Sequence, residues 1–188
     1  MRCPKETTVE MESGELTEGL PVKCCPSCQG NWLSTQNYQR WQALNAGLDV
    51  IPDEVLPLAL DTAYQPAPLD GRAGLCPECG TYLKRSRLNL KTASFYIERC
   101  PICSGLWCDK GEWQILEELG LHVQIPIVFQ PEWQATVRAL EKVEKQRLAV
   151  IDKLGPDIAE RIFELSTLLK GHPHGDFGVG YLMRKLNE

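Results

Sequence analysis

Two Cys-x2-Cys pairs with twenty residues between them, Cys76-Pro77-Glu78-Cys79 and Cys100-Pro101-Ile102-Cys103, limit what this chain can fold into. A thiolate pair at that spacing supplies two corners of a zinc tetrahedron, and a second pair closes it. Metal binding then becomes folding free energy and replaces the core that so short a segment cannot build. All four corners are protein thiolates, so no position is left for water or substrate, which is the mark of a structural metal. Iron fits the same four sulfurs, as in a rubredoxin-like site, and the spacing does not separate the two metals. Of the nine cysteines in the chain, six fall in Cys-Pro-x-Cys units. The N-terminus, Met1-Arg2-Cys3-Pro4-Lys5-Glu6, has no apolar run after its basic residue, so no signal peptide is read and cytoplasmic residence is the expectation. Metal ligation is therefore preferred over a disulfide framework.

The second pair has an echo upstream. Cys25-Pro26-Ser27-Cys28-Gln29-Gly30-Asn31-Trp32-Leu33 aligns with Cys100-Pro101-Ile102-Cys103-Ser104-Gly105-Leu106-Trp107-Cys108, and Cys3-Pro4-Lys5-Glu6 aligns with Cys76-Pro77-Glu78-Cys79. Two copies of one module follow, with a carboxylate in place of one thiol in the first. Cys3, Glu6, Cys25 and Cys28 form the second candidate metal set. A water in the fourth position, or no metal at all, are the alternatives to Glu6 as a ligand.

Each module reads as knuckle, hairpin, knuckle, helix. The first hairpin is expected over Thr8 to Glu12 and Leu20 to Cys24, turning at Ser13-Gly14-Glu15. The second is expected over Tyr82 to Leu88 and Ala93 to Arg99, where aromatic and β-branched residues favour strand. Gly30 and Gly105 are expected to take a left-handed conformation. Ser34 and Asp109 are the candidate N-caps of helices Thr35 to Ala46 and Gly111 to Leu119. Residues 48–75 read as a linker, with a short helix opening at Asp53-Glu54.

Past Gly120 an extended segment is expected over Val123 to Phe129. A long helix from Pro131 to Leu154 follows, its apolar stripe interrupted by Glu144 and Arg147. A second helix from Pro156 to Lys170 carries the unbroken stripe Ile158, Ile162, Leu165 and Leu169, and Gly155-Pro156 between the two suggests an antiparallel hairpin. The tail holds enough apolar residues for a short docked helix.

The net charge of −5 argues against coating nucleic acid non-specifically. It leaves room for a local patch: Lys84, Arg85, Arg87 and Lys91 crowd the second hairpin, with Tyr82, Phe95 or Tyr96 as stacking surface. A solvated strand face is the plainer reading. The first hairpin carries Glu10, Glu12, Glu15 and Glu18 instead, and this opposite charging could help the modules pack together. No membrane-length apolar run, phosphate loop, nucleophile elbow or metalloprotease helix occurs.

Residues Cys76 to Trp113, with Cys-Pro-x-Cys, a hairpin, and Cys-Pro-x-Cys-x-Gly-x-Trp-x-Asp-x-Gly-Glu, resemble the TFIIB-type zinc-ribbon domain of many small bacterial and archaeal proteins. Cys108 replaces that pattern's usual Leu, and residues 1–41 look like a divergent copy with Ser34-Thr35-Gln36-Asn37 where Asp-x-Gly-Glu is expected. The resemblance implies an α+β protein with two small zinc ribbons, 1–47 and 76–120, and a helical C-terminal region, 121–188. The function expected is a non-enzymatic Zn2+-binding adaptor that meets a protein partner or a second copy of itself, without a small-molecule substrate. Nucleic-acid binding through the basic hairpin, suggested by the domain's transcriptional association, is the alternative.

Overall fold

The computed structural model describes residues 1–45 and 63–187, in an α+β arrangement of a six-stranded antiparallel sheet and five α-helices. They fall into two compact units, Met1–Val137 and Arg138–Glu188. The expected end of the first helix at Ala46 and the short helix at Asp53 lie outside the described residues. Among the described residues no helix is long and apolar enough to cross a membrane.

The first unit is built on one sheet. Its strands are β1 (Glu12–Glu15), β2 (Pro21–Cys24), β3 (Asn31–Leu33), β4 (Lys84–Asn89), β5 (Ser94–Arg99) and β6 (Leu106–Cys108), in the order β1-β2-β3-β6-β5-β4. The two hairpins expected as separate modules are therefore joined, and the join is β3 against β6, with Asn31 opposite Cys108, Trp32 opposite Trp107 and Leu33 opposite Leu106. These three-residue strands were not expected from the sequence. Placing β1 and β4 at opposite edges also removes the charge pairing expected between the hairpins.

Side chains alternate across a sheet with period two, and this pair of strands uses both faces. Leu33, Leu106 and Cys108 point into a core shared with α1 (Thr35–Leu44), α2 (Glu112–Glu118) and a 3-10 helix, Ile125–Phe129. Trp32 and Trp107 point the other way, into a cluster with the cysteines, Met11 and Leu83. Neither tryptophan exposes more than 1% of its surface. Each indole is seated over the other module's glycine. A Cβ on Gly30 would lie 2.2 Å from the Trp107 ring, and one on Gly105 would lie 2.2 Å from the Trp32 ring. This corrects the expected role of both glycines. The left-handed residues are their neighbours, Gln29 (φ 60°) and Ser104 (φ 62°), while the glycines are required because a ring occupies the Cβ position.

Other expectations shift for local reasons. The first hairpin turns at Thr17-Glu18-Gly19, where Leu20 donates its N–H to the Thr17 carbonyl and Gly19 takes φ +74°, not at Ser13-Gly14-Glu15. Gly14 sits inside β1 instead, where a Cβ would come 2.6 Å from Cys24 Sγ. The segment before Pro131 is a 3-10 helix rather than a strand: Pro126 suits a helical first turn, and the tighter winding buries Ile125, Val128 and Phe129 on one side. Ser34 caps α1, its Oγ accepting the Asn37 N–H at 3.3 Å. At α2 the helix starts after Gly111, yet Glu112 Oε2 accepts the Asp109 N–H at 2.7 Å, half of a capping box.

α3 (Pro131–Leu154) begins in the first unit, where Gln134 donates to Ser86 Oγ and to the Val128 carbonyl. In the second unit it continues to Gly155 (φ 78°), followed by α4 (Pro156–Gly171) and α5 (Gly175–Leu186). The Arg147 guanidinium stands 4.5 Å over the Phe163 ring, at equal distances along the chain from Gly155, so α4 does turn back toward α3. The main packing of this unit, however, is α4 on α5.

Overpacking a filled site typically costs about 1–3 kcal/mol, so Gly30→Ala and Gly105→Ala should each lower stability by about that amount or more. Gly71→Ala, whose Cβ meets nothing within 4 Å, should stay within about 0.5 kcal/mol. Guanidinium denaturation of the metal-loaded protein checks both.

Candidate metal centres

Cys76, Cys79, Cys100 and Cys103 converge: each offers a sulfur within 4.8 Å of all the others. Three backbone turns aim the thiols of the described Cys-x2-Cys units. In each, the residue after the second cysteine donates its N–H to the carbonyl of the first: Gln29 to Cys25, Gly80 to Cys76 and Ser104 to Cys100. That bond needs a left-handed residue at its donor, which Gln29, Gly80 and Ser104 supply. The N–H groups of Ile102 and Cys103 point at Cys100 Sγ, both at 3.4 Å. The Cys76–Cys103 and Cys79–Cys100 sulfurs are 3.5 Å and 3.3 Å apart. A tetrahedral metal with thiolate bonds of about 2.3 Å has sulfur–sulfur edges of about 3.8 Å, so the four thiols enclose a space of metal size.

Cys3, Glu6, Cys25 and Cys28 enclose the same space, again within 4.8 Å of one another. Cys3 and Cys28 sulfurs are 3.7 Å apart, and Glu6 Oε2 is 3.6 Å from Cys25 Sγ. The other oxygen, Glu6 Oε1, accepts the Ser27 hydroxyl at 3.0 Å. Glu6 is thus held to present one oxygen to the cluster, and it stands where the fourth ligand is needed. Both sets could hold a metal ion. Thiolate is already favoured at one cysteine of each: Cys3 is lowered to about 6 chiefly by its hydrogen bond with Cys28, and Cys79 to about 6 chiefly by its contact with Thr81 Oγ1. Burial acts oppositely on Cys76, pushed up to about 11, and bound metal overcomes that penalty by replacing the proton.

Lys5, between the candidate ligands Cys3 and Glu6, is the part that motif reasoning missed. Lys5 is fully buried. Its ammonium pairs with Glu98 on β5, lies 3.5 Å from Asp109 Oδ2 and donates to the Arg72 carbonyl at 2.6 Å. The corresponding residue of the other module, Glu78, accepts the Trp32 indole N–H at 3.0 Å. Each first knuckle therefore reaches across to the other module. Burial raises Glu98 to about 8 in spite of the Lys5 charge, and it raises Asp109 and Glu112 as well. The one available signal was a lysine inside a knuckle that also brings its neighbours into a core.

The basic residues named from sequence do not form one surface. Arg85 is turned inward: its guanidinium donates to the Asp70 and Gly71 carbonyls, its Nε lies 3.5 Å from Glu98, and it stacks 3.8 Å over Tyr96. Arg87 donates to Ser94 Oγ. Lys84 is exposed and sits opposite Arg99, while Lys91 lies in the β4–β5 turn. Cys108 is buried in the core, and Cys24 lies beside Gly14. His172 and His174 are exposed at the turn after α4.

No family model, curated protein or solved structure matches this chain.

Removing one partner of a buried ion pair typically costs about 3–5 kcal/mol, and Lys5→Met should fall in that range while Lys110→Met, on the surface nearby, changes stability by less than about 0.5 kcal/mol. Thermal unfolding with matched metal content is the measurement.

Proposed function

We propose that this is a zinc-folded adaptor: two ribbons of the TFIIB type, each closed around one structural Zn2+, form a platform for a C-terminal helical segment that docks on protein. Four thiolates in one site and three thiolates with one carboxylate in the other are donor sets suited to zinc. Cys76, Cys79, Cys100 and Cys103 would hold the first ion, and Cys3, Glu6, Cys25 and Cys28 the second. Both sets are filled by protein ligands, which supports folding rather than chemistry as the role of the metal.

The observation that carries the docking role is the bareness of the helices. Of the large apolar side chains exposed among the described residues, eighteen in all, thirteen lie between Val143 and Leu186. Among the described residues of that unit only Ala159 and Gly175 are buried. Helices of 24, 16 and 12 residues with so little mutual burial need another surface to cover them. A groove of 640 Å³ between α4 and α5, lined by Ile162, Leu165, Leu169, Val179 and Leu182, suits an apolar side-chain row of a helix. A second copy of the chain offers such a row and is the occupant this reading favours.

Light scattering at micromolar concentration should give a dimer with two zinc ions per chain. Ile162→Lys with Leu182→Lys should give a monomer with unchanged zinc. A monomeric wild type would sink the self-association reading. Cys79→Ser and Glu6→Ala should each lower zinc by about one ion per chain, read by elemental analysis.

A second reading, nucleic-acid binding, is favoured by one feature. Lys84 and Arg99 face each other across β4 and β5 beside a cavity of 250 Å³ that also touches Ser104. Like charges directly opposite are costly unless an anion sits between them. Absence of any gel shift at low salt would dismiss it.

A further inference from the structure

We propose that Asp70, Asp109 and Glu112 form a third cation site, distinct from the thiolate centres, that binds one hard divalent ion such as Ca2+ or Mn2+. The three side chains offer oxygens within 4.8 Å of one another, and all are buried: 6%, 2% and 0% exposed. Their usual hydrogen bonds are accounted for. Asp70 Oδ1 accepts the Tyr96 N–H at 2.7 Å, Asp109 Oδ1 accepts the Trp107 indole N–H at 2.7 Å, and Glu112 Oε2 accepts the Asp109 N–H at 2.7 Å. Two oxygens are left over, and one of them, Asp109 Oδ2, lies 3.5 Å from the Lys5 ammonium. Glu112 Oε1 has no hydrogen-bond partner, although its side chain is wholly enclosed. A buried, unpaired carboxylate oxygen is expensive, and a cation is what such an atom lacks.

The surrounding charges point the same way. Four carboxylates, Asp70, Glu98, Asp109 and Glu112, are buried in this layer with Lys5 and Arg85 as the cations that pair with them. Lys5 serves Glu98 and Asp109, and Arg85 serves Glu98 while its remaining donors go to backbone carbonyls. Neither cation forms an ion pair with Asp70 or Glu112. The mutual repulsion is visible in Glu112, pushed well above its ordinary value by burial first and then by Asp109 and Glu98.

Donor chemistry selects the ion. The set is all oxygen and all carboxylate, which suits hard cations and contrasts with the sulfur of the other two centres. A cavity of 350 Å³ lined by Leu69, Asp109 and Lys110, and also by Glu6 and Cys28 of the first cysteine set, opens beside Asp109. An ion bound to the three carboxylates would tie the loop carrying Asp70 to the start of α2.

The probe is Tb3+, a luminescent stand-in for Ca2+, added to the full zinc-loaded chain and excited through tryptophan. Trp107 is hydrogen-bonded to the Asp109 carboxylate, so the sensitiser touches the site. The expected result is saturable emission at one Tb3+ per chain, reversed by Ca2+, with zinc content constant. Glu112→Gln keeps the bond to the Asp109 N–H and Asp70→Asn lies outside α2; each should weaken Tb3+ by more than the about tenfold typical of an outer-shell change. Circular dichroism and zinc content confirm that either variant is folded. Emission that is absent, or that persists unchanged in a folded variant, overturns the site. The first would mean that protons rather than a metal neutralise the cluster, the second that Tb3+ binds surface carboxylates.

Discussion

The pairing of β3 with β6 is the contact on which the rest of the first unit depends. It is short, three residues on each strand, and backbone hydrogen bonds alone would not hold it in water. What makes it durable is the exchange of indoles. Trp32 fills the space left by Gly105, and Trp107 fills the space left by Gly30. Each tryptophan is fully enclosed only because the other module is present. The arrangement converts two hairpins that could each be a small metal-dependent domain into a single sheet with helices on one face and cysteines on the other.

Lys5 adds an electrostatic tie to the same joint. It lies between two candidate metal ligands and puts its charge among carboxylates of the other module. A lone buried ammonium would be prohibitive, and so would Glu98 and Asp109 without it. The first module thus contributes to the second even apart from metal. That offers a physical reason for a chain to keep a copy whose thiol set is incomplete. The same layer of buried carboxylates holds the unpartnered Glu112 oxygen on which the proposed oxygen-ligated site rests.

The two units obey different physics. The first buries its apolar residues on both faces of a sheet and around candidate metal clusters. The second consists of amphipathic helices whose apolar residues are mostly exposed. Its order within one chain rests on α4 against α5 and on the Arg147–Phe163 contact. A unit with an extensive core followed by helices with mostly exposed apolar residues is consistent with the interaction role proposed above.

Both cysteine sets were legible because ligand spacing is a local property: a turn that aims two thiols at one point is written in four or five consecutive residues. Helices α3 and α4 were legible for the same reason, their limits marked by Pro131, Pro156 and Gly171 and their faces by 3.6-residue periodicity. Glu6 could be named as a candidate ligand, but only the convergence of its oxygen on Cys25, with Ser27 holding the other, brings it to the cluster. The place of the first turn was misread because Gly14 and Gly19 look alike in sequence. One is needed for a close sulfur and the other for a left-handed φ. By itself, then, the sequence determined the cysteine turns and the helices. Tertiary structure alone decided that the two hairpins share one sheet, that Gly30 and Gly105 make room for tryptophans, and that Lys5 is an internal counter-ion. Each of those depends on what lies across the joint, more than sixty residues away along the chain, where no local propensity reaches.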